Sequence, residues 1–163
     1  MGVHKIRVLP DPVLRQKAKK VSKIDASIQH LIDDMIESMK AASGVGLAAN
    51  QIGVPLKIAV IEMPGEEVIV LVNPEILERK GERIISEACL SVPGYQGDIK
   101  RSVTVKVKAK NRNGQSIRIK GEELLAQALE HEIDHLGGIV YVDRLEEPNK
   151  LRKVEPESDE EGL

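Results

Sequence analysis

The clearest pattern in the chain is a helical repeat of apolar residues between residues 28 and 39. The repeating positions, three or four residues apart, are Ile28, Leu31, Ile32, Met35, Ile36 and Met39. Asp25 stands just before them, where a helix N-cap is expected. We therefore predict a helix that begins after Asp25 and ends at Ser43-Gly44-Val45-Gly46.

Alternation of apolar and polar residues predicts strands in the middle of the chain. In chain order, the predicted strands are residues 57–63, 68–72, 103–110, 116–119 and 139–142. Pro64-Gly65-Glu66-Glu67 is typical of a hairpin connection, and Asn113-Gly114 predicts a second tight turn. Asn73-Pro74 is expected to end the second strand, because proline removes a backbone donor.

A second helical pattern, from Gly121 to Leu136, contains charged residues in an unusual place. At about 100° per residue, a narrow polar strip is formed by Glu123, Gln127, Glu130 and Asp134. The remaining arc is apolar and contains Leu124, Leu125, Ala128, Leu129, Ile133 and Leu136. Glu132 falls inside that apolar arc, where a carboxylate is costly unless it is paired, protonated or acting on a bound water.

The segment His131-Glu132-Ile133-Asp134-His135 has the spacing H-E-x-x-H. Two histidines four residues apart lie one helical turn from each other, so both imidazoles can reach one metal ion. Glu132 can then act as a general base toward a water on that ion. A chance match on a charged helix is the alternative, but it leaves the position of Glu132 unexplained.

A site with two histidine ligands needs a third ligand. Glu146 and Glu147 are near in sequence, as in metalloproteases that use a later glutamate, but they flank Pro148 in a charged segment. Cys89 is the better candidate, because residues 87–94 are predicted as an extended segment that enters a turn. A lone cysteine is more commonly a small buried apolar residue, and that alternative stays open at this point.

Composition narrows the classes of protein. The 163 residues suffice for one compact domain, and a net charge of -2 gives no indication of a general nucleic-acid or polyanion binder. Two Tyr, no Phe and no Trp imply an aliphatic core and argue against base stacking, so we expect no direct readout of nucleic acid. The single Cys fits a reducing compartment, and neither a signal peptide nor a membrane span is expected.

The order of the predicted elements indicates an α+β fold. Mixed or antiparallel strands are expected to pack around a central helix that carries the HExxH motif, because the pattern lacks regular βαβ alternation. Residues 1–147 are predicted to form a single catalytic domain. Residues 148–163 are predicted to be a short charged tail, disordered where Glu155–Leu163 is acidic.

Three segments together resemble the motifs of the peptide deformylase family, in order and in spacing. They are Gly44-Val45-Gly46-Leu47-Ala48-Ala49-Asn50-Gln51, Glu87-Ala88-Cys89-Leu90-Ser91 and the HExxH segment. The resemblance covers nearly the whole chain and implies a cytoplasmic metallohydrolase acting on N-formylmethionyl nascent peptides. It also implies one divalent ion on Cys89, His131 and His135, natively Fe²⁺, with Zn²⁺, Ni²⁺ or Co²⁺ able to occupy the site.

The resemblance implies roles for further residues. Glu132 would transfer protons, while the side-chain amide of Gln51 and the backbone N–H of Leu90 would stabilise the oxyanion. The implied substrate-binding residues are Val45, Gly46, Ala88, Leu124 and Ala128. The chain departs from the family at two positions: Ala88 replaces the usual Gly, which is expected to narrow the peptide groove, and Glu130 replaces a frequent Gln.

Partners and alternative functions also follow from the resemblance. Some family members carry a basic C-terminal helix that docks on the ribosome, whereas Lys150, Arg152 and Lys153 form only a fragment of one, so at most a transient ribosome contact is expected. An endopeptidase with the same HExxH chemistry and a catalytically silent binding domain are the two alternatives. Activity on formyl-Met peptides distinguishes all three.

Overall fold

The computed structural model describes residues 2–147 and 151–154, and these residues form an α+β fold. The helices and strands, in chain order, are α1 (Ala26–Ala41), β1 (Gly46–Ala48), β2 (Ile58–Ile61), β3 (Ile69–Lys80), β4 (Arg83–Cys89), β5 (Val92–Arg101), β6 (Thr104–Lys110), β7 (Ser116–Glu122), α2 (Leu124–Leu136) and β8 (Arg152–Lys153). The predicted α+β class with antiparallel strands is confirmed, and the described residues contain two α-helices and two antiparallel sheets.

Two sheets organise the molecule. The larger has the order β1-β2-β3-β6-β7, and the smaller has the order β4-β5-β8. All pairings between these strands are antiparallel. The sequence pattern did not predict β1, the β4–β5 hairpin or β8 as strands, and indicated only an extended segment around Cys89.

The two helices cover opposite faces of the larger sheet. Ala59 and Ile61 of β2 belong to the apolar cluster that contains residues of α2. Ile58 and Val60 point the other way, into the cluster formed with α1. Because successive strand residues face opposite sides, a strand covered on both faces is apolar throughout, which explains the continuous run Ile58–Ile61.

Helix α1 confirms the first prediction from the sequence. It begins after Asp25, whose side chain accepts a hydrogen bond from the backbone N–H of Ile28 at 3.1 Å. Its buried stripe includes Ile32, Met35 and Met39, and these residues fill the core on the α1 face of the sheet. The helical spacing of apolar residues therefore arises from one-sided packing.

Strand β3 corrects the prediction that Asn73-Pro74 ends a strand. It continues to Lys80, with a shift of register between Val72 and Glu75 opposite β6. Asn73 adopts a φ of 53°, and its side chain exchanges two hydrogen bonds with the backbone of Val21, at 2.8 and 2.9 Å. The bulge accommodates Pro74, which lacks a backbone donor, without ending the strand.

The C-terminal part differs from prediction in two places. Residues 139–142 do not form a strand; Tyr141–Arg144 is a 3-10 helix, and the backbone N–H of Val140 donates to Asp143 at 3.0 Å. Arg152 and Lys153, within the predicted charged tail, pair with the edge of β5 as a short strand. Edge pairing uses backbone groups and needs no apolar pattern. Residues 148–150 and 155–163 lie outside the described residues.

Neither α-helix of the described residues is long and apolar enough to cross a membrane.

Candidate metal centre

The structure brings Cys89, His131 and His135 together in the interior. Sγ of Cys89 lies 3.3 Å from Nε2 of His135, and the Nε2 atoms of the two histidines are 3.2 Å apart. All three side chains are buried, and their ligand atoms lie within 4.8 Å of one another. These are the three residues that the sequence singled out as candidate ligands.

Two different elements position these side chains. His131 and His135 lie one turn apart on α2, so their imidazoles project from the same face of the helix. Cys89 is the last residue of β4, and the tight connection Leu90–Ser91 leads directly into β5. The backbone N–H of Ser91 donates to Sγ of Cys89 at 3.4 Å and helps to fix the position of the sulfur.

This donor set fits a divalent metal ion. Ligands about 2.0–2.3 Å from one tetrahedral ion lie about 3.3–3.8 Å apart, close to the spacings between these atoms. One thiolate and two imidazoles suit iron or zinc and do not decide between them. Three protein ligands also match sites that keep a position open for chemistry.

Glu87 sets the orientation of the His131 ring. Nδ1 of His131 lies 2.5 Å from Oε2 of Glu87, so the ring donates its Nδ1–H to the carboxylate and directs the Nε2 lone pair toward Cys89 and His135. Gln127 donates to the other carboxylate oxygen at 3.1 Å. A carboxylate behind a histidine ligand fixes the tautomer and makes the ligand more basic.

Arg101 holds Glu87 in place and links it to the end of α2. It donates to both oxygens of Glu87, at 3.0 and 2.6 Å, and to Asp134 at 2.8 Å. Arg144 also donates to Asp134 from the solvent side. Burial opposes ionisation of Glu87, but its contacts with His131 and Arg101 outweigh burial and hold its pKa at about 2. Glu87 is therefore a carboxylate at neutral pH.

Glu132 has a different environment from Glu87. It is fully buried, and neither of its carboxyl oxygens has a hydrogen-bond partner among the described residues. Burial raises the pKa of Glu132 to about 7. A carboxyl group with a pKa near neutrality is suited to accept and return a proton.

Gly46 borders the Glu132 carboxyl group directly. A Cβ atom at this position would clash with Oε2 of Glu132, so the backbone of β1 approaches the carboxyl group more closely than a side chain would allow. Steric contact with Glu132 therefore explains why a glycine stands at this position of the first motif.

Gln51 lies in a short 3-10 helix, Ala49–Ile52, and is fully buried. Its Oε1 accepts from the backbone N–H of Ala48 at 3.0 Å, which turns its Nε2 toward Ser91 Oγ at 3.1 Å and Cys89 Sγ at 3.7 Å. The amide donor therefore points at the ligand cluster, where it could meet a developing negative charge.

The candidate substrate-binding residues fall in different environments. Val45 and Ala128 are buried in the same apolar cluster, together with other residues of β1, β2 and α2. Ala88 is half-buried beside Cys89, and Leu124 is 39% exposed at the first turn of α2. Leu90 lies in the turn after Cys89, where its side chain packs against the α1 cluster. The structure thus brings Val45 and Ala128 together and leaves Leu124 at the surface.

The polar strip predicted on α2 is mostly buried. Gln127, Glu130 and Asp134 are all under 10% exposed. Glu130 accepts hydrogen bonds from the backbone and side chain of Ser102 and from Arg79, so it is held by partners and not by solvent. A helical projection assigns a polar face but contains no information on what covers that face.

Sequence reasoning missed the supporting residues of the site. Glu87 and Ser91 lie within the second motif, but the sequence alone assigns them no role, and it does not distinguish Arg101. A buried carboxylate two positions before the ligand, on the same side of a strand, is a signal for Glu87. Arg101 lies in a polar strand with other charges, and nothing in its local pattern distinguishes it.

Comparisons with known proteins agree with this geometry. A family model described as polypeptide deformylase matches residues 3–151. A peptide deformylase of Dehalococcoides mccartyi is 51% identical over 160 residues, covering 98% of this chain and 96% of that protein. The crystal structure of a peptide deformylase from Legionella pneumophila has a TM-score of 0.87 and 49% identity, over 88% of this chain and 86% of that one.

A second solved structure extends the agreement. The peptide deformylase from Synechococcus elongatus, crystallised in complex with actinonin, has a TM-score of 0.85 and 40% identity, over 87% of this chain and 78% of that one. Identity at this level across most of both chains establishes common family membership, beyond a shared fold. The chain therefore belongs to the peptide deformylase family, the metal-dependent hydrolases that remove the N-formyl group from newly synthesised polypeptides.

Proposed function

We propose that this chain deformylates N-formylmethionyl nascent peptides, with Cys89, His131 and His135 as metal ligands and Glu132 as the proton-transfer group. The observation that carries the proposal is the fully buried and unpartnered Glu132 beside three convergent ligand atoms. A carboxyl group in that position raises the free energy of the folded state, so folding alone does not account for it. In the proposed role, α2 is the central helix that presents the HExxH motif.

The mechanism assigns proton transfer to Glu132. Cys89, His131 and His135 would hold a divalent ion, which would supply Lewis acidity when bound. Glu132 accepts a proton from the attacking water as the water oxygen adds to the formyl carbon. It then delivers that proton to the departing nitrogen as the carbon–nitrogen bond breaks, which yields formate and a free amino terminus.

Negative charge on the formyl oxygen needs donors during this step. Nε2 of Gln51 is proposed as one donor, and the backbone N–H of Leu90 as the other. The fixed orientation of Gln51, through Ala48 and Ser91, supports this role, because a donor already in place requires little reorganisation as charge develops.

The substrate methionine is proposed to bind among aliphatic side chains. Val45 and Ala128 share an apolar cluster, and Leu124 is exposed where it can cover one side of a bound peptide. Gly46 and Ala88 would lie along the extended peptide backbone. The Cβ of Ala88, in place of the usual glycine, would bring this wall closer to the peptide.

Fe²⁺ is proposed as the native ion, with Zn²⁺, Ni²⁺ or Co²⁺ as possible replacements. The mixed thiolate and imidazole set supports each of them. Activity of the Fe²⁺ form should decay in air and that of the Ni²⁺ form should persist, because air oxidises Fe²⁺ but not Ni²⁺. Equal aerobic lifetimes would count against iron.

The cellular setting is likewise a proposal. A cytoplasmic location with transient ribosome contact fits an enzyme that acts on nascent chains. Residues 1–147 would form the catalytic domain, and residues 148–163 a charged tail whose Arg152 and Lys153 pair with β5.

A direct assay tests the proposed function. Purified protein should release formate from formyl-Met-Ala-Ser, leave acetyl-Met-Ala-Ser unchanged, and fail to cleave an unformylated decapeptide. Cleavage within the decapeptide would favour the endopeptidase. No turnover by protein with a full complement of metal would favour the silent binding domain and refute the proposal.

A further inference from the structure

A groove rich in basic side chains lies on the larger sheet, away from the ligand cluster. It encloses about 880 Å³ and contains the basic residues Lys20, Lys57, Lys108, Lys110 and Arg118, against a single acid, Glu75. A smaller cavity of about 440 Å³ continues it, sharing Asn73 and Lys110 and adding Lys23 and Arg112. The chain as a whole has a net charge of -2, so positive charge is concentrated here.

The strand register explains why the cations lie on one face. Val105, Val107 and Ala109 of β6 point into the core on the α2 side. Lys108 and Lys110 alternate with them and therefore point to the other face of the sheet. Helix α1 covers that face over β1 and β2, and the groove occupies the part over β3, β6 and β7.

Folding alone does not favour this charge arrangement. Lys108 lies directly opposite Arg118 across the β6–β7 pair. Like charges in facing positions destabilise a sheet. Glu75 pairs with Lys108 at 3.7 Å, but within residues 2–147 and 151–154 no ion pair neutralises Lys20, Lys57, Lys110 or Arg118. A polyanion in the groove would remove this repulsion.

We infer that the groove binds the phosphate backbone of RNA. The cations extend over two connected cavities contributed by several segments, which suits a chain of regularly spaced phosphates better than one small anion. The groove contains no aromatic side chain, so it would contact phosphates without reading bases. The choice of RNA over DNA rests on the proposed function, because nascent chains emerge from an RNA-rich particle.

An anionic membrane surface fits the groove less well. The site is concave, whereas an interfacial segment offers apolar side chains to a flat bilayer. The exposed large apolar residues of the described chain are Val3, Val8, Leu77, Ile84, Tyr95 and Leu124, and none of them lines the groove. Vesicle binding is therefore an outcome that would contradict the inference.

Fluorescence anisotropy with labelled 20-nucleotide oligouridylate tests the inference. If four cations each contact one phosphate, the salt slope should be about -2.8, or about a 50-fold loss of affinity between 50 and 200 mM salt. Lys110→Glu/Arg118→Glu should lower the magnitude of the slope to about 1.4 and weaken binding at least about tenfold at 50 mM salt. Lys5→Glu/Lys153→Glu, with the same change in charge, should bind like the wild type.

Several outcomes would overturn the inference. These are equal losses in both double variants, a preference for the matching DNA oligonucleotide, or binding to vesicles containing phosphatidylserine in place of RNA. Deformylation of formyl-Met-Ala-Ser should be unchanged in both variants, which also shows that they fold. A protein that binds RNA through the groove but lacks deformylase activity would refute the proposed function and leave RNA binding intact.

Discussion

The two α-helices differ in how they treat polar side chains. In α1, residues such as His30, Asp33 and Glu37 are exposed, and the buried stripe is apolar apart from Ser38. In α2, ten of thirteen residues are buried, six of them polar or charged. Helix α1 is capped by Asp25, whereas α2 begins after Glu123, which has a φ of 53° and makes no capping hydrogen bond.

The two helices therefore contribute differently to the protein. The polar residues of α1 can remain hydrated, so the helix contributes packing and little else. The polar residues of α2 need specific partners, and most have them: Gln127 and His131 contact Glu87, and Asp134 contacts Arg101. Among the buried groups of α2, the exceptions are both carboxyl oxygens of Glu132 and Nδ1 of His135. A buried helix that leaves a whole carboxyl group without a partner, beside two candidate metal ligands, indicates where the chemistry takes place.

The largest effect on metal content and activity is expected from removing the thiolate of Cys89, the proposed metal ligand at the end of β4. Cys89→Ser should lose most of its metal at neutral pH, and its activity in proportion, because a hydroxyl is a far poorer ligand than a thiolate. Elemental analysis of protein purified without air measures this. In the α1 core, Met39→Leu preserves volume and should retain the ion. Stoichiometric metal in Cys89→Ser would refute the proposed ligand set.

Glu132→Gln should separate chemistry from metal binding. We expect kcat to fall by about 10²–10⁴-fold, since the amide cannot transfer the proton. Metal content should be unchanged because Glu132 is not a proposed ligand, and thermal stability should not decrease because both oxygens already lack partners. Glu37→Gln, on the exposed face of α1, serves as the control. If Glu132→Gln retained kcat within a few-fold of wild type, the proposed mechanism would be wrong.

Glu87→Gln tests the support behind α2. Loss of the carboxylate behind His131 should weaken metal affinity by about 10–100-fold, measured by competition with a chelator. Glu130→Gln is the matched control, because Glu130 is also a buried carboxylate paired with an arginine but contacts no proposed ligand. If Glu87→Gln fails to fold around Arg101, Arg101→Lys gives a milder test of the same contact. Equal metal affinity in folded Glu87 and Glu130 variants would contradict the positioning role.

The same contrast explains how far the sequence could predict the structure. The spacing of apolar residues predicted α1 with its N-cap, β2 and β6. Each of these elements packs on one or two faces, and such packing places apolar residues at regular intervals in the sequence. The prediction failed at Asn73-Pro74, where the tertiary contact with Val21 stabilises a bulge, and at β8, where backbone pairing needs no pattern.

The sequence likewise predicted some residues of the site and missed others. The ligand candidates had a recognisable spacing, but Arg101 meets Glu87 and Asp134 only in three dimensions, and local sequence does not indicate that. Net charge likewise concealed the basic groove, because acidic residues elsewhere balance it. The periodic spacing of apolar residues shows which faces of an element are packed. Polar contacts between residues distant in sequence produce no such pattern.

The smallest expected effect is on stability alone, in α1. Asp25→Ala removes the side chain that accepts from the N–H of Ile28, and this should lower the free energy of unfolding by about 1 kcal/mol. For a domain of this size, that corresponds to a decrease in Tm of about 2–4 °C, measurable by calorimetry with the metal content held constant. Asp25→Ser keeps a capping acceptor and should recover most of the loss. Because α1 packs on the face of the sheet opposite α2, kcat and metal content should equal those of the wild type in both variants. A change in kcat for Asp25→Ala that Asp25→Ser reverses would mean that the α1 cap is coupled to the metal centre, and the separation between a packing helix and a chemical helix would then fail.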